Sequence, residues 1–160
     1  MHRQPHIPEA LLQALRVALP GQPDAVDAAR AGHLPATPGA YLLLMHLVED
    51  LPLSGRFKGH VLPAGHYLYA GSARGPGGLR ARITRHLKRH KKIRWHVDQL
   101  TTRASHVSAL PYPDAPGAQG ISECHLAGLL ADAGFTQPLP RFGSSDCPRC
   151  TSHLLRWREV

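Results

Sequence analysis

Short apolar runs alternate with polar, glycine-rich and proline-rich stretches along the chain, and these runs predict its strands. Residues 41–48 (YLLLMHLV) are almost continuously apolar, which is typical of a central strand covered on both faces. Residues 66–70 (HYLYA) are rich in aromatic side chains and predict a second strand. Further strands are predicted over residues 57–61, over residues 106–112 and at the end of the chain through Trp157.

Apolar residues at helical spacing predict the helices. Five segments have this character or lie between clear turn signals: residues 9–19, 24–31, 79–90, 95–102 and 123–133. Pro8 suits the first turn of the first helix, while Ser122 is a candidate N-cap and Gly134 a stop signal for the last one. This mixture predicts an α/β (α+β) fold with a small, mostly antiparallel sheet flanked by helices.

A proline and glycine cluster divides the chain into two parts. Residues 1–37 form a predicted N-terminal helical extension that packs on the rest or regulates it, and residues 38–160 form the predicted core domain. The total of 160 residues suits one domain with a real apolar core.

The charge balance points to a polyanionic partner. The chain has 19 Lys and Arg against 11 Asp and Glu, a formal charge of +8, which favours nucleic acid through phosphate neutralisation. No run approaches the length of a membrane span, and the N-terminus has no secretory pattern. Three cysteines make a poor disulfide framework, so we expect a cytoplasmic protein that does not engage membranes.

The predicted helix over residues 79–90 combines a buried seam with a basic strip. Its apolar residues fall on one line at 100° per residue: Leu79, Ile83 and Leu87. Basic residues lie beside this seam, one turn apart: Arg82, His86 and Arg89. Arg85 and Lys88 are expected to point outward. Arginine forks match phosphate oxygens, although a solvated basic face has the same pattern.

Two tyrosine elements precede that basic helix and give the chain a family resemblance. Gly39-Ala40-Tyr41 looks like the first element of the GIY-YIG nuclease superfamily, and Tyr69-Ala70-Gly71 looks like the second. Arg82 and His86 match the spacing that some members have on the next helix. The stretches 71–82, 95–98, 123–124 and 143–154 resemble the DUF123 branch of that superfamily.

The resemblance implies a divalent-metal-dependent endonuclease that hydrolyses phosphodiester bonds, with DNA favoured over RNA and DNA repair as a setting. It implies that Glu123 holds Mg²⁺ or Mn²⁺ and that Arg82 neutralises transition-state charge. Tyr41, assisted by Tyr69 and His86, would orient or deprotonate the attacking water. Deprotonation needs a lowered tyrosine pKa, for which Arg82 is the candidate cause.

Substrate contacts are expected from polar and basic residues around these elements: Ser72, Arg74, Arg85, Arg89, Lys91, Lys92 and His96. His96 and Asp98 could contact substrate or position a catalytic group, and structural hydrogen bonding is an equal alternative for both. Trp95 could stack on a base, but we expect a core indole.

The cysteine-rich tail carries a second signal. Cys147 and Cys150 form a C-x-x-C pair followed by His153, and Cys124 or His125 could complete a structural Zn²⁺ site. Alternatives are reduced thiols in a packed tail, or Asp146 and His153 facing the active site. Ser144, Ser145 and Asp146 could also bind substrate or position the tail.

Two other function classes remain open at this stage. One is a nucleic-acid-binding module without catalytic activity, and the other is a zinc-stabilised structural or interaction protein. An enzyme needs Tyr41, Tyr69, Arg82 and Glu123 to converge on one cleft, whereas a binding module needs only the basic strip. The oligomeric state is left open.

Overall fold

Antiparallel strands form the framework of the molecule. The computed structural model describes residues 7–21, 24–144, 147 and 150–159. The strands in this part of the chain are β1 (Gly39–Leu47), β2 (Leu51–Pro52), β3 (Val61–Leu62), β4 (Gly65–Ala73), β5 (His106–Pro113) and β6 (Leu154–Trp157). Four of them form one antiparallel sheet in the order β5-β1-β4-β6, and β2 pairs with β3 separately.

Helices cover the sheet on both faces, which confirms the predicted α+β fold class. The helices are α1 (Glu9–Ala18), α2 (Ala28–Ala31), α3 (Gly78–Leu87), α4 (Asp98–Thr101) and α5 (Glu123–Asp132). None of the helices in the described residues is both long and apolar enough to cross a membrane.

Strand β1 is buried on both faces, as its apolar run predicts. Tyr41, Leu43 and Met45 pack in a core cluster with α3 and α4. Leu42 and Leu44 point the other way and pack in a second cluster with α1 and α5. The alternation of strand side chains therefore divides one run between two cores.

The N-terminal segment packs closely on the domain. Leu11 and Leu15 of α1 are buried in the same cluster as Leu126 and Leu130 of α5. Val26 makes an isolated antiparallel bridge to Ala109 of β5. The described part of the extension thus contributes to both core clusters, since Val26 and Ala31 belong to the cluster on the other face.

Several predicted boundaries are wrong. The strand predicted over residues 57–61 is displaced to β3 at Val61–Leu62, because Gly55–Phe57 forms a 3₁₀ helix between β2 and β3. Helix α2 is shorter than predicted because Asp27, not Asp24, caps it by accepting the amide of Arg30.

Helix α3 also ends earlier than predicted, at Leu87. The Lys91 ammonium donates to the backbone carbonyls of Arg85 and His86 and so satisfies the helix end. Helix α4 begins only at Asp98, because the Asp98 carboxylate accepts the amides of Arg94 and Trp95 and holds them in a turn.

Candidate functional site

A cleft of about 480 Å³ lies where β1, β4, α3 and α5 approach one another. Its lining includes every residue proposed above for catalysis or for the divalent metal: Tyr41, Tyr69, Arg82, His86 and Glu123. Ser72, one of the residues predicted to contact substrate, also lines it. Side chains from four separate elements therefore converge on one space, which is the geometric condition that an enzyme of this type requires.

Strand register brings the two tyrosines together. Tyr41 of β1 lies opposite Gly71 of β4, so Tyr69 is its diagonal neighbour on the same face. A Cβ atom at Gly71 would overlap the Tyr41 ring, and one at Gly143 would lie 2.5 Å from the Tyr69 ring. Gly143 also has a φ of 73°, which favours glycine. Both rings are thus seated against glycines.

Tyr41 and His86 form a hydrogen-bonded pair at the base of the cleft. The Tyr41 hydroxyl lies 2.7 Å from His86 Nε2, and both residues are 2% exposed. The His86 Nδ1 atom has no hydrogen-bond partner among the residues that the structure describes. Burial, reinforced by the Lys91 ammonium, lowers the pKa of His86 to about 3. His86 is therefore neutral near pH 7.

The expectation of a lowered tyrosine pKa is wrong. Burial raises the pKa of Tyr41, and the proximity of Tyr69 adds to the increase. Burial also raises the pKa of Tyr69 to about 12. The Arg82 guanidinium acts in the opposite direction on both, but it does not compensate for their burial. Both tyrosines are neutral phenols near pH 7, able to donate and accept hydrogen bonds.

Arg82 reaches the cleft across the face of Trp95. Its Cζ atom lies 4.5 Å from the Trp95 ring centroid, a cation–π distance. No carboxylate among the described residues forms an ion pair with Arg82. Trp95 is 37% exposed, so the prediction of a core indole is wrong. The guanidinium is held in place and keeps its donors available.

Arg85 does not point outward, contrary to the prediction from the helical wheel. It forms a two-pronged ion pair with the fully buried Asp98, at 3.0 and 2.8 Å, and its guanidinium lies 4.1 Å from the Trp95 ring centroid. Burial opposes ionisation of Asp98, but hydrogen bonds from Arg85 and from the amides of Trp95 and Arg94 outweigh it and lower its pKa to about 2. Asp98 is therefore a structural anchor, one of the two readings considered for it.

Several other predicted substrate contacts also make bonds within the protein. Arg74 pairs with Asp114 at 2.5 Å, and Arg89 lies beyond the end of α3 and donates to the Ala104 carbonyl. Lys91 caps α3 as described above. Their role in binding substrate stays a prediction.

The last two predicted contacts differ from each other in exposure. Lys92 is exposed. His96 is half-buried and packs edge-on against Phe57, with ring centroids 4.8 Å apart. The structure thus favours a packing role for His96.

Glu123 opens helix α5 and projects towards the cleft. Ser122 caps that helix, as predicted, by accepting the amide of His125 at 3.1 Å. The Glu123 carboxylate has no hydrogen-bond or ion-pair partner in the described part of the chain. A half-buried carboxylate with uncommitted oxygens in a cleft fits Mg²⁺ or Mn²⁺, which take oxygen ligands and retain several waters.

Cys124, Cys147 and His153 also line this cleft. One donor atom each from Cys124, Cys147, Cys150 and His153 lies within 4.8 Å of the others, and together they could hold a metal ion. Cys124 belongs to this set, whereas His125 is exposed and outside it, which decides between the two candidates for the fourth ligand. Burial raises the pKa of the Cys124 and Cys150 thiols.

The remaining tail predictions concern the segment around the cysteines. Ser144 is buried and donates to the Thr151 carbonyl at 3.3 Å, so it positions the tail. Ser145 and Asp146 lie outside the described residues.

Sequence reasoning missed three features of the site. It did not identify Asp98 as the anchor of Arg85, which precedes it by 13 residues in the chain. It missed that Gly143, by lacking a side chain, leaves room for the Tyr69 ring. It placed the tail at the active site only as an alternative, through Asp146 and His153, because nothing in the spacing shows that Cys124, next to Glu123, faces Cys147 and His153 in the cleft.

The fold and the site define an α+β protein with a tyrosine-, arginine- and glutamate-lined cleft beside a candidate metal centre. The model of the family described as "Domain of unknown function DUF123" matches residues 40–160, and the chain belongs to this family. No curated protein and no solved structure matches the chain.

Proposed function

We propose that this protein is a divalent-metal-dependent endonuclease of the GIY-YIG type that hydrolyses phosphodiester bonds in DNA in the cytoplasm. The observation that supports the proposal is the convergence of Tyr41, Tyr69, Arg82, His86 and Glu123 on one cleft. A protein that only binds nucleic acid has no need of a buried Tyr–His pair facing an unpaired carboxylate.

Arg82 would supply positive charge where negative charge develops on the phosphate in the transition state. It has no ion-pair partner among the described residues, and the Trp95 ring restrains it. A preorganised guanidinium in a cleft stabilises a pentavalent phosphorus more strongly than one that must reorient from solvent.

Tyr41 would orient the attacking water. Its hydrogen bond to neutral His86 fixes the direction of the hydroxyl, so an oxygen lone pair can face the cleft. Tyr41 keeps its proton near pH 7 because its pKa is raised, and His86 is a weak base because its pKa is lowered, so the role is positioning rather than proton removal. The water oxygen bonds to phosphorus as the bond to the leaving sugar oxygen breaks. The attacking water gives one proton to solvent, and the leaving oxygen takes one proton from solvent.

Glu123 would hold the Mg²⁺ or Mn²⁺ ion, which when bound polarises the scissile phosphate and stabilises the leaving oxygen. Its uncommitted oxygens and its position in the same cleft as Tyr41 and Arg82 suit this role. Mg²⁺ needs few protein ligands, so one carboxylate is chemically sufficient.

The test is cleavage of labelled single-stranded, duplex and branched DNA, and of RNA, with Mg²⁺ or Mn²⁺ and with EDTA. We expect metal-dependent cutting of at least one DNA substrate. Glu123→Gln keeps the size of the side chain but removes its charge, so it should abolish cutting.

The matched control is Asp132→Asn, which removes an exposed charge at the other end of α5 and should leave cutting unchanged. Binding without cutting on every substrate would overturn the proposal and favour the nucleic-acid-binding module. Absence of both binding and cutting would favour a structural or interaction protein.

A further inference from the structure

Two rigid elements place half of the cysteine and histidine cluster. Cys124 lies in the first turn of α5, which Ser122 caps. His153 directly precedes β6, and its backbone bonds to both the Ala70 amide and the Phe142 carbonyl, at 2.9 Å each. The Cys124 Sγ and His153 Nε2 atoms are 3.3 Å apart.

The other two donors come from the segment that approaches β6. Cys147 Sγ lies 2.9 Å from Cys124 Sγ, and the Cys147 amide donates to the Ser144 carbonyl. Cys150 brings the third sulfur within the same 4.8 Å group. Three sulfurs and one imidazole nitrogen from two separate parts of the chain thus surround one point.

We propose that Cys124, Cys147, Cys150 and His153 bind one Zn²⁺ ion tetrahedrally and thereby join α5 to the segment before β6. Three thiolates with one imidazole are a donor set typical of structural zinc, whereas Mg²⁺ and Mn²⁺ prefer oxygen. With four protein ligands the ion keeps no open position, so its role is structural. This site is separate from the carboxylate of Glu123.

The set of donors, rather than a single distance between sulfurs, distinguishes a zinc site from a disulfide here. With Zn–S bonds of about 2.3 Å, tetrahedral geometry places two sulfurs about 3.8 Å apart, while a disulfide needs about 2.05 Å. The 2.9 Å between Cys124 and Cys147 lies between these values. The other two donors decide in favour of zinc, because a Cys124–Cys147 disulfide gives no reason for Cys150 and His153 to converge on the same point.

The proposed zinc site also bears on the cleft. Cys124, Cys147 and His153 line it, and Cys124 follows Glu123 in the chain. Zinc would fix the first turn of α5 against the tail and so set the direction of the Glu123 carboxylate. It would also hold the loop that carries Gly143, against which the Tyr69 ring is seated.

The direct test is the metal content of the full-length protein after purification without added metal, measured by inductively coupled plasma mass spectrometry. We expect one zinc ion per chain. Exchange with Co²⁺ should give the visible absorption bands of a tetrahedral cobalt–thiolate centre. Cys150→Ser should lose most of the zinc and these bands.

The matched control is His125→Asn, which alters an exposed histidine next to Cys124 and should retain zinc. A wild-type chain without zinc that also fails to take up Co²⁺ would overturn the proposal. So would an intact mass that lacks two hydrogens because of a disulfide. Neither the metal measurements nor the intact mass involves cleavage. The zinc proposal can therefore fail while the nuclease proposal stands, and the nuclease proposal can fail while the zinc proposal stands.

Discussion

At the scale of single residues, contacts between glycines and tyrosine rings set the positions of the candidate catalytic groups. Gly71 leaves room for the Tyr41 ring, and Gly143 leaves room for the Tyr69 ring. The sequence pattern predicts that Tyr41, Tyr69 and Arg82 matter, but it does not show what orients them. Tyr41 depends on His86, 45 residues away in the chain, and on the missing side chain at Gly71.

Gly71→Ala should displace Tyr41 and thereby reduce both stability and cleavage. An added Cβ overlaps the ring, and overpacking of this kind costs about 1–3 kcal/mol in the free energy of unfolding. Urea denaturation measures the loss, and the cleavage assay measures its effect on the site.

The matched control for that substitution is Gly128→Ala. Gly128 lies within α5 with open space around its Cα, so alanine there should stabilise the protein by about 0.5–1 kcal/mol and leave cleavage intact. Equal effects of the two substitutions would show that Gly71 does not position Tyr41.

At the scale of elements, pairing in the main sheet creates a row of histidines that the sequence does not reveal. His106, His46 and His66 are register partners across β5, β1 and β4. The His46 and His66 rings stack with centroids 4.1 Å apart, and Trp157 of β6 packs edge-on against His66. Burial, followed by the neighbouring His46 and His106, lowers the pKa of His66 to about 4.

This row should make the sheet sensitive to acid. The unfolded chain takes up a proton at His66 near pH 6.5, whereas the folded chain resists it down to about pH 4. The contribution of neutral His66 to stability is therefore fully present above pH 6.5 and is lost as the pH falls from 6.5 to 4. His86, with its lowered pKa, acts in the same direction.

The measurement is urea unfolding at pH 8 and pH 5 for the wild type and for His66→Gln. The wild type should lose more stability between the two pH values than the variant does. Identical losses, or a wild type that gains stability at pH 5, would contradict the lowered pKa of His66 as a cause of acid sensitivity.

At the scale of the whole molecule, the fold could be predicted from the sequence more completely than the site. Hydrophobic runs sufficed to predict the central β1 strand and the seam of α3, because burial follows directly from local pattern. The ends of α3 and α4 could not be predicted, since Lys91 and Asp98 set them through contacts that depend on the fold.

Net charge also gave an incomplete description of the basic surface. The chain carries a formal charge of +8, which still favours a nucleic-acid partner. Arg74 and Arg85, however, form ion pairs with Asp114 and Asp98 of the same chain, and Arg89 donates to a backbone carbonyl. Arg82, by contrast, faces the cleft without an ion-pair partner among the described residues, so it is the arginine for which we most strongly predict a catalytic role.

The most direct test of the nuclease proposal compares cleavage with binding for wild type, Arg82→Ala and Lys88→Ala at one fixed salt concentration. Lys88 is exposed and outside the cleft, so its substitution removes the same charge from the neighbouring surface. The single-turnover cleavage rate and the dissociation constant of the same DNA are measured for each protein.

Arg82→Ala should lower the cleavage rate by about 100-fold or more with only a modest rise in the dissociation constant, because its charge acts mainly in the transition state. Lys88→Ala should leave the cleavage rate unchanged. Equal losses of binding and cleavage in Arg82→Ala, or an unchanged cleavage rate, would contradict a catalytic role for this cleft.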